Sequence, residues 1–132
     1  MVKIILDEET KREIDEIRKR FERDRIVLYE EKGPRLNISM NMYFNEKGQL
    51  VFDGCDSGEF VKETMGDWDY EYSFTIEPDG VEKLYSLFEL PNTDRALFLA
   101  EMKKRFGGIE ADSKIRAFLE ENKIDFETFY WR

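Results

Sequence analysis

Apolar and polar positions along this chain recur with two periods, and the switches between them mark out its elements. Across residues 8–23, Ile14, Ile17 and Phe21 recur at helical spacing behind Asp7, a good N-cap; everything else there is polar or charged. That pattern predicts a helix resting one narrow stripe on the rest of the protein. Residues 25–31 read as a short strand, ended by Gly33-Pro34. Leu36, Ile38, Met40, Met42 and Phe44 then alternate with Asn37, Ser39, Asn41 and Tyr43, the period of a strand with one buried face. Asn45-Glu46-Lys47-Gly48 reads as a hairpin turn, with residues 49–52 returning antiparallel.

Asp53-Gly54-Cys55-Asp56 reads as a loop. Asp56 or Ser57 then caps a short helix that turns Phe60, Val61 and Met65 inward and stops at Gly66. A second alternation follows. Trp68, Tyr70, Tyr72, Phe74 and Ile76 share the face expected to be buried, and Asp67, Asp69, Glu71, Ser73, Thr75 and Glu77 share the other. Pro78-Asp79-Gly80 opens a helix carrying Val81, Leu84, Tyr85 and Phe88, closed by Pro91. Asn92 is the expected cap of a helix running to Phe106 and stopped by Gly107-Gly108. Asp112 or Ser113 caps another, with Ile115, Phe118 and Leu119 inward, and residues 125–131 form a last strand. The order α-β-β-β-α-β-α-α-α-β predicts an α+β fold. Its antiparallel sheet should have about four to five strands with helices mainly on one face, in a single domain spanning 1–132.

Composition narrows the chemistry. The 132 residues include no His and one Cys, which removes His-dependent catalysis, an internal disulfide and a Cys-type zinc site. With 41% apolar residues the chain can build a core. Ile4 to Leu6 is too short a run for a signal-peptide core, and no stretch nears the ~20 apolar residues of a membrane span; a cytoplasmic protein with no membrane partner is the expectation. Asp53 and Asp56 flank Cys55 and raise the pKa of a thiol that has no base to activate it, so it is not a nucleophile.

Charge is the informative quantity. Residues 1–35 carry 10 acids and 10 bases, and residues 83–132 carry 9 of each. The whole net charge of −9 falls within residues 53–82, which hold ten acids against Lys62 alone. Like charges that close together repel, while they attract a basic partner and speed its encounter. The candidate partner-binding residues are therefore Asp53, Asp56, Glu59, Glu63, Asp67, Asp69 and Glu71, and the expected partner is a basic protein. The plainer account is a solvated surface that aids solubility. Nucleic acid is disfavoured, because the basic residues are interleaved with acids.

Other chemistry finds little footing. Aligned on a calcium loop from Asp53, the chain places Cys55 third and Thr64 twelfth, where an acid is required. There is no phosphate-cradling glycine motif, and no Ser has a His partner. The reading is a non-enzymatic protein-binding domain with no catalytic residue, cofactor or metal. The alternative is a small metal- or ligand-binding protein or enzyme using Asp53, Asp56 and nearby acids.

The run Phe52-Asp53-Gly54-Cys55-Asp56-Ser57-Gly58, followed by Tyr70-Glu71-Tyr72 and by Phe129 and Trp131 near the end, resembles a small, largely uncharacterised bacterial domain family. That family carries DG-x-D-x-G between a strand and a short helix. The resemblance covers residues 48–76 and 118–131, implies an α+β domain and supplies no activity. In size and acidity the chain is also similar to immunity proteins that neutralise toxins, which implies an inhibitor of a basic partner.

Overall fold

A computed structural model of the chain describes residues 7–91 and 94–131. The elements follow the expected order: α1 (Glu8–Arg23), β1 (Arg25–Lys32), β2 (Asn37–Phe44), β3 (Leu50–Ser57), α2 (Glu59–Met65), β4 (Asp69–Ile76), α3 (Pro78–Leu87), α4 (Arg95–Phe106), α5 (Ala111–Glu121) and β5 (Glu127–Trp131). The five strands form one antiparallel sheet in the order β1-β2-β3-β4-β5, confirming the α+β class.

Alternation sets the register, because a slip of one residue would bury the acids of β4. Met42, Phe52, Phe74 and Thr128 form one row across the inner face; Phe44, Leu50 and Ile76 form another. Over these rows lie Val81, Leu84, Tyr85 and Phe88 of α3 and the turn after it, Phe98, Leu99, Met102 and Phe106 of α4, and Ala111, Ile115 and Leu119 of α5. Ring contacts join the two layers: Phe44 lies 5.7 Å from Phe98, and Tyr85 stacks on Phe98 at 4.5 Å. Burying such large side chains contributes roughly 1.5–3 kcal/mol apiece, and this core holds the sheet in place.

Three local devices complete the frame. Leu28 has no partner on β2, so β1 carries a bulge there; Leu28 enters the core and its carbonyl accepts the Gly108 N–H at 3.1 Å. Asp24, almost wholly buried between α1 and β1, accepts from Arg95 of α4 at 3.1 Å, and that guanidinium lies 4.8 Å over the Phe44 ring. Arg116 of α5 holds β5: its Nε donates to Asp112 at 2.7 Å, its Nη1 donates to Thr128 at 2.7 Å, and it lies 4.9 Å over Phe74.

The structure corrects several local expectations. Residues 53–56 are not a loop, since β3 runs through them to Ser57. Neither Asp56 nor Ser57 caps α2; the N-cap is Gly58 at φ 120°, where a Cβ would meet the Arg35 carbonyl oxygen at 2.5 Å. Phe60 is exposed, leaving Val61 as the buried anchor of α2. Trp68 is also exposed, because β4 begins one residue after it. Asn92 lies outside the described residues, and the cap on α4 is Asp94, which accepts from the Leu97 N–H at 2.9 Å. Neither Asp112 nor Ser113 caps α5: Asp112 turns to Arg116, and the Ser113 hydroxyl donates to the Glu110 carbonyl.

Candidate functional site

The seven acids singled out from the sequence separate into four groups, and those on the strands divide because strand geometry sends neighbouring side chains to opposite faces. Asp53 on β3 and Asp69 and Glu71 on β4 point outward, away from the helices, and all three are exposed. Asp56 points inward. Its carboxylate is half-buried and accepts the Tyr72 hydroxyl at 3.0 Å. Glu59 and Glu63 project from α2 toward Arg35, which pairs with both. Asp67 sits in the turn before β4 and accepts the Trp68 N–H at 2.8 Å. Asp53 and Asp56, three positions apart on one strand, therefore face different sides of the sheet and do not converge on one ligand.

The outer face is built in rows set by strand pairing. One row is Val27, Asn41, Asp53, Ser73 and Phe129; the next is Glu30, Ser39, Cys55, Glu71 and the backbone of Trp131. Beyond them lie Asp69 on one side and Arg25, Tyr43, Val51, Thr75 and Glu127 on the other. Val27, Asp53, Glu71 and Phe129 are exposed, whereas Asn41 and Val51 between them are buried, so this side of the sheet is open at the acids and toward both edges while α3, α4 and α5 cover the opposite side. Side chains from Glu30, Asp53, Asp69, Glu71 and Glu127 bring carboxylates to it, against Arg25 and Lys32. Lys32 already pairs with Glu30 at 3.5 Å. Among the described residues no ion pair engages Asp53, Asp69 or Glu71.

Cys55 sits amid these acids and registers their field. Burial pushes its thiol pKa up, and Asp69, Glu71, Asp56 and Asp53 push it further, in that order. A protonated thiol in such surroundings is a poor nucleophile and a poor metal ligand. Burial, followed by Asp53, likewise raises the Tyr43 phenol, with Arg25 partly offsetting them. The depressions on this face are shallow. One of about 180 Å³ lies among Asp53, Glu71, Ser73 and Phe129, and one of about 170 Å³ lies beside Ser39 and Cys55. Both fall below the roughly 300 Å³ at which small-molecule clefts begin. No three His, Cys, Asp or Glu side chains among the described residues are grouped to hold a metal ion, and no helix among them is long and apolar enough to cross a membrane.

Charge counting along the sequence found the acids but not their division between faces, and it missed Val27, Tyr43, Phe129, Glu30 and Glu127. Those residues join the site only through strand pairing, which the pattern within a single strand does not reveal. Comparison with known proteins returned no matching family model, no matching curated protein and no matching solved structure.

Proposed function

We propose that this protein is a non-enzymatic binding domain whose open sheet face docks a basic protein. The carrying observation is the set Asp53, Asp69 and Glu71, three exposed carboxylates on adjacent strands with no cation paired to them among the described residues. Asp53 lies diagonally across from Glu71, and Asp69 follows Glu71 on the same face of β4, so each is within roughly 7–8 Å of another. The resulting potential attracts a positive surface and steers its approach. Around the acids, Val27 and Phe129 add apolar contact area, and Ser39 and Ser73, both half-buried, add hydrogen-bonding groups, the mixture found at protein interfaces. A face without a deep cleft suits a macromolecule better than a small substrate. An immunity-type inhibitor, with the acidic face laid over the basic active surface of a toxin, is the most concrete form of this reading.

Of the seven acids, Asp53, Asp69 and Glu71 form the proposed contact, whereas Arg35 engages Glu59 and Glu63, and Asp56 faces the interior. The test starts with capture of a partner from the native host, followed by association kinetics at low and high salt. Converting Asp53, Asp69 and Glu71 together to Lys should slow association by about tenfold or more, and salt should slow the parent protein in the same way. Converting Glu9, Glu13 and Glu16 on α1 should do much less. Equal effects from the two triple variants, or association indifferent to salt, would remove the support for this docking face.

A further inference from the structure

The sheet has two edges, and the chain treats them differently. On β1 the Leu28 bulge interrupts the ladder, the Leu28 carbonyl is taken by Gly108, and Glu30, Glu31 and Lys32 place charge along the strand. Bulges and charges of this kind prevent an edge from pairing with another chain. On β5 no such device is present among the described residues. This strand pairs only with β4, has one charged residue in Glu127–Trp131, and exposes Phe129 at 63% and Tyr130 at 59%. It is also held in place: Thr128 accepts from Arg116, and Tyr130 stacks on Tyr70 with centroids 6.3 Å apart. Alternate residues of a paired strand direct their backbone N–H and C=O away from their partner, so β5 offers an ordered and unprotected row of such groups.

We propose that β5 pairs antiparallel with β5 of a second copy of this chain, joining two sheets into one of ten strands about a two-fold axis at Phe129. The sequence of the strand fits itself in that register. Phe129 lies opposite its counterpart, Thr128 of one copy lies opposite Tyr130 of the other, and Glu127 lies opposite Trp131. The central pair is aromatic with aromatic and the pairs beside it are aromatic with β-branched, which favour cross-strand packing, and the outer pairs set Glu127 against a position that carries no charge, so no carboxylate meets another. A basic partner strand would find only Glu127 to attract it here, so charge gives this edge no preference for the partner proposed above. Pairing with a copy closes the assembly, because the outer edges of the ten-stranded sheet are then the two protected β1 strands.

Sedimentation of the full-length chain over a wide concentration range, at low and high salt, tests this. A dimer is expected, and salt should tighten it by screening the repulsion between two chains of net charge −9. That salt dependence is opposite in sign to the one expected for the basic partner, so the two proposals fail independently. Phe129→Glu sets two carboxylates against each other on the axis and should weaken association by roughly tenfold or more. Phe129→Lys does the same with opposite charge and serves if the first variant folds poorly. Amide exchange in β5 of the parent protein should slow as concentration rises. A monomer at the highest concentration in high salt, or a dimer that survives the folded Phe129 variant, would overturn the proposal.

Discussion

Asp56 shows what one side chain gives up to sit where the sheet requires it. On β3 it falls in the inward row with Ile38 and Tyr70. Burial raises its pKa above the ordinary 3.8; the Tyr72 hydroxyl bond works against that rise, and the nearby Asp112 adds to it. Burial of the Tyr72 phenol, and after it the Asp56 carboxylate, push its pKa up and hold it protonated, so the hydroxyl remains a donor. A carboxyl whose pKa is higher folded than unfolded binds more protons in the native state between the two values. Its contribution to stability therefore falls as pH rises through that window, and the penalty is complete above it. Asp56→Asn keeps an oxygen for the Tyr72 hydroxyl and removes the charge. Thermal unfolding at neutral pH should find the variant more stable than the parent, with the difference fading below about pH 4, where the unfolded carboxyl is itself protonated. A variant less stable at neutral pH would show that the charged carboxylate is favoured in place.

At the scale of elements, most of the fold was legible because period and punctuation agree. The alternation in β2 and β4, the Gly48 turn and the Gly66 stop all lie where the pattern put them, with φ of 76° at Gly48 and 85° at Gly66. The failure at residues 53–56 has a definite cause. Asp and Gly are poor strand formers, and read alone the run signals a turn. What overrides it is tertiary: β2 and β4 pair with this stretch on both sides, and Gly54 gives up its side-chain space to the Tyr72 ring directly across from it. No feature of a single sequence reports that a distant tyrosine needs a missing Cβ. The division of the acids was hidden for the same reason, since a loop has no faces and a strand has two. The contact between Gly54 and the Tyr72 ring fixes the sign of a substitution. In an ordinary strand, replacing Gly by Ala stabilises by about 0.5–1 kcal/mol. Here the new methyl would overlap the Tyr72 ring, so Gly54→Ala should destabilise by about 2–3 kcal/mol in denaturant unfolding. In a Tyr72→Ala background the same change should cost far less, and a double-mutant cycle would measure that coupling. A neutral or stabilising Gly54→Ala would return the segment to a loop.

For the whole molecule, the uneven charge has an energetic consequence that separates a working surface from a merely solvated one. Both flanking segments balance acids against bases, and where α4 and α5 need acids they pair them, as in Glu101 with Arg105 and Asp112 with Arg116. The open sheet face departs from that habit. Asp53, Asp69 and Glu71 stand near one another on adjacent strands, and each neighbouring like charge opposes folding by a few tenths of a kcal/mol. Changing all three to their amides at once, Asp53→Asn, Asp69→Asn and Glu71→Gln, should therefore stabilise the protein by about 1 kcal/mol at low salt, an increase of about 3–5 °C in melting temperature for a chain of this length. Salt already screens the repulsion in the parent, so the gain should shrink as ionic strength rises. The corresponding amides at Glu9, Glu13 and Glu16 lie on a helix where bases alternate with acids, and they should give no comparable gain. If the sheet triple variant is more stable yet no longer associates with the basic partner, stability has been given up at this face for binding, as expected of a functional surface. If it is no more stable at any salt concentration, these carboxylates do not repel one another appreciably, and the field on which the docking proposal depends is too weak to steer a partner.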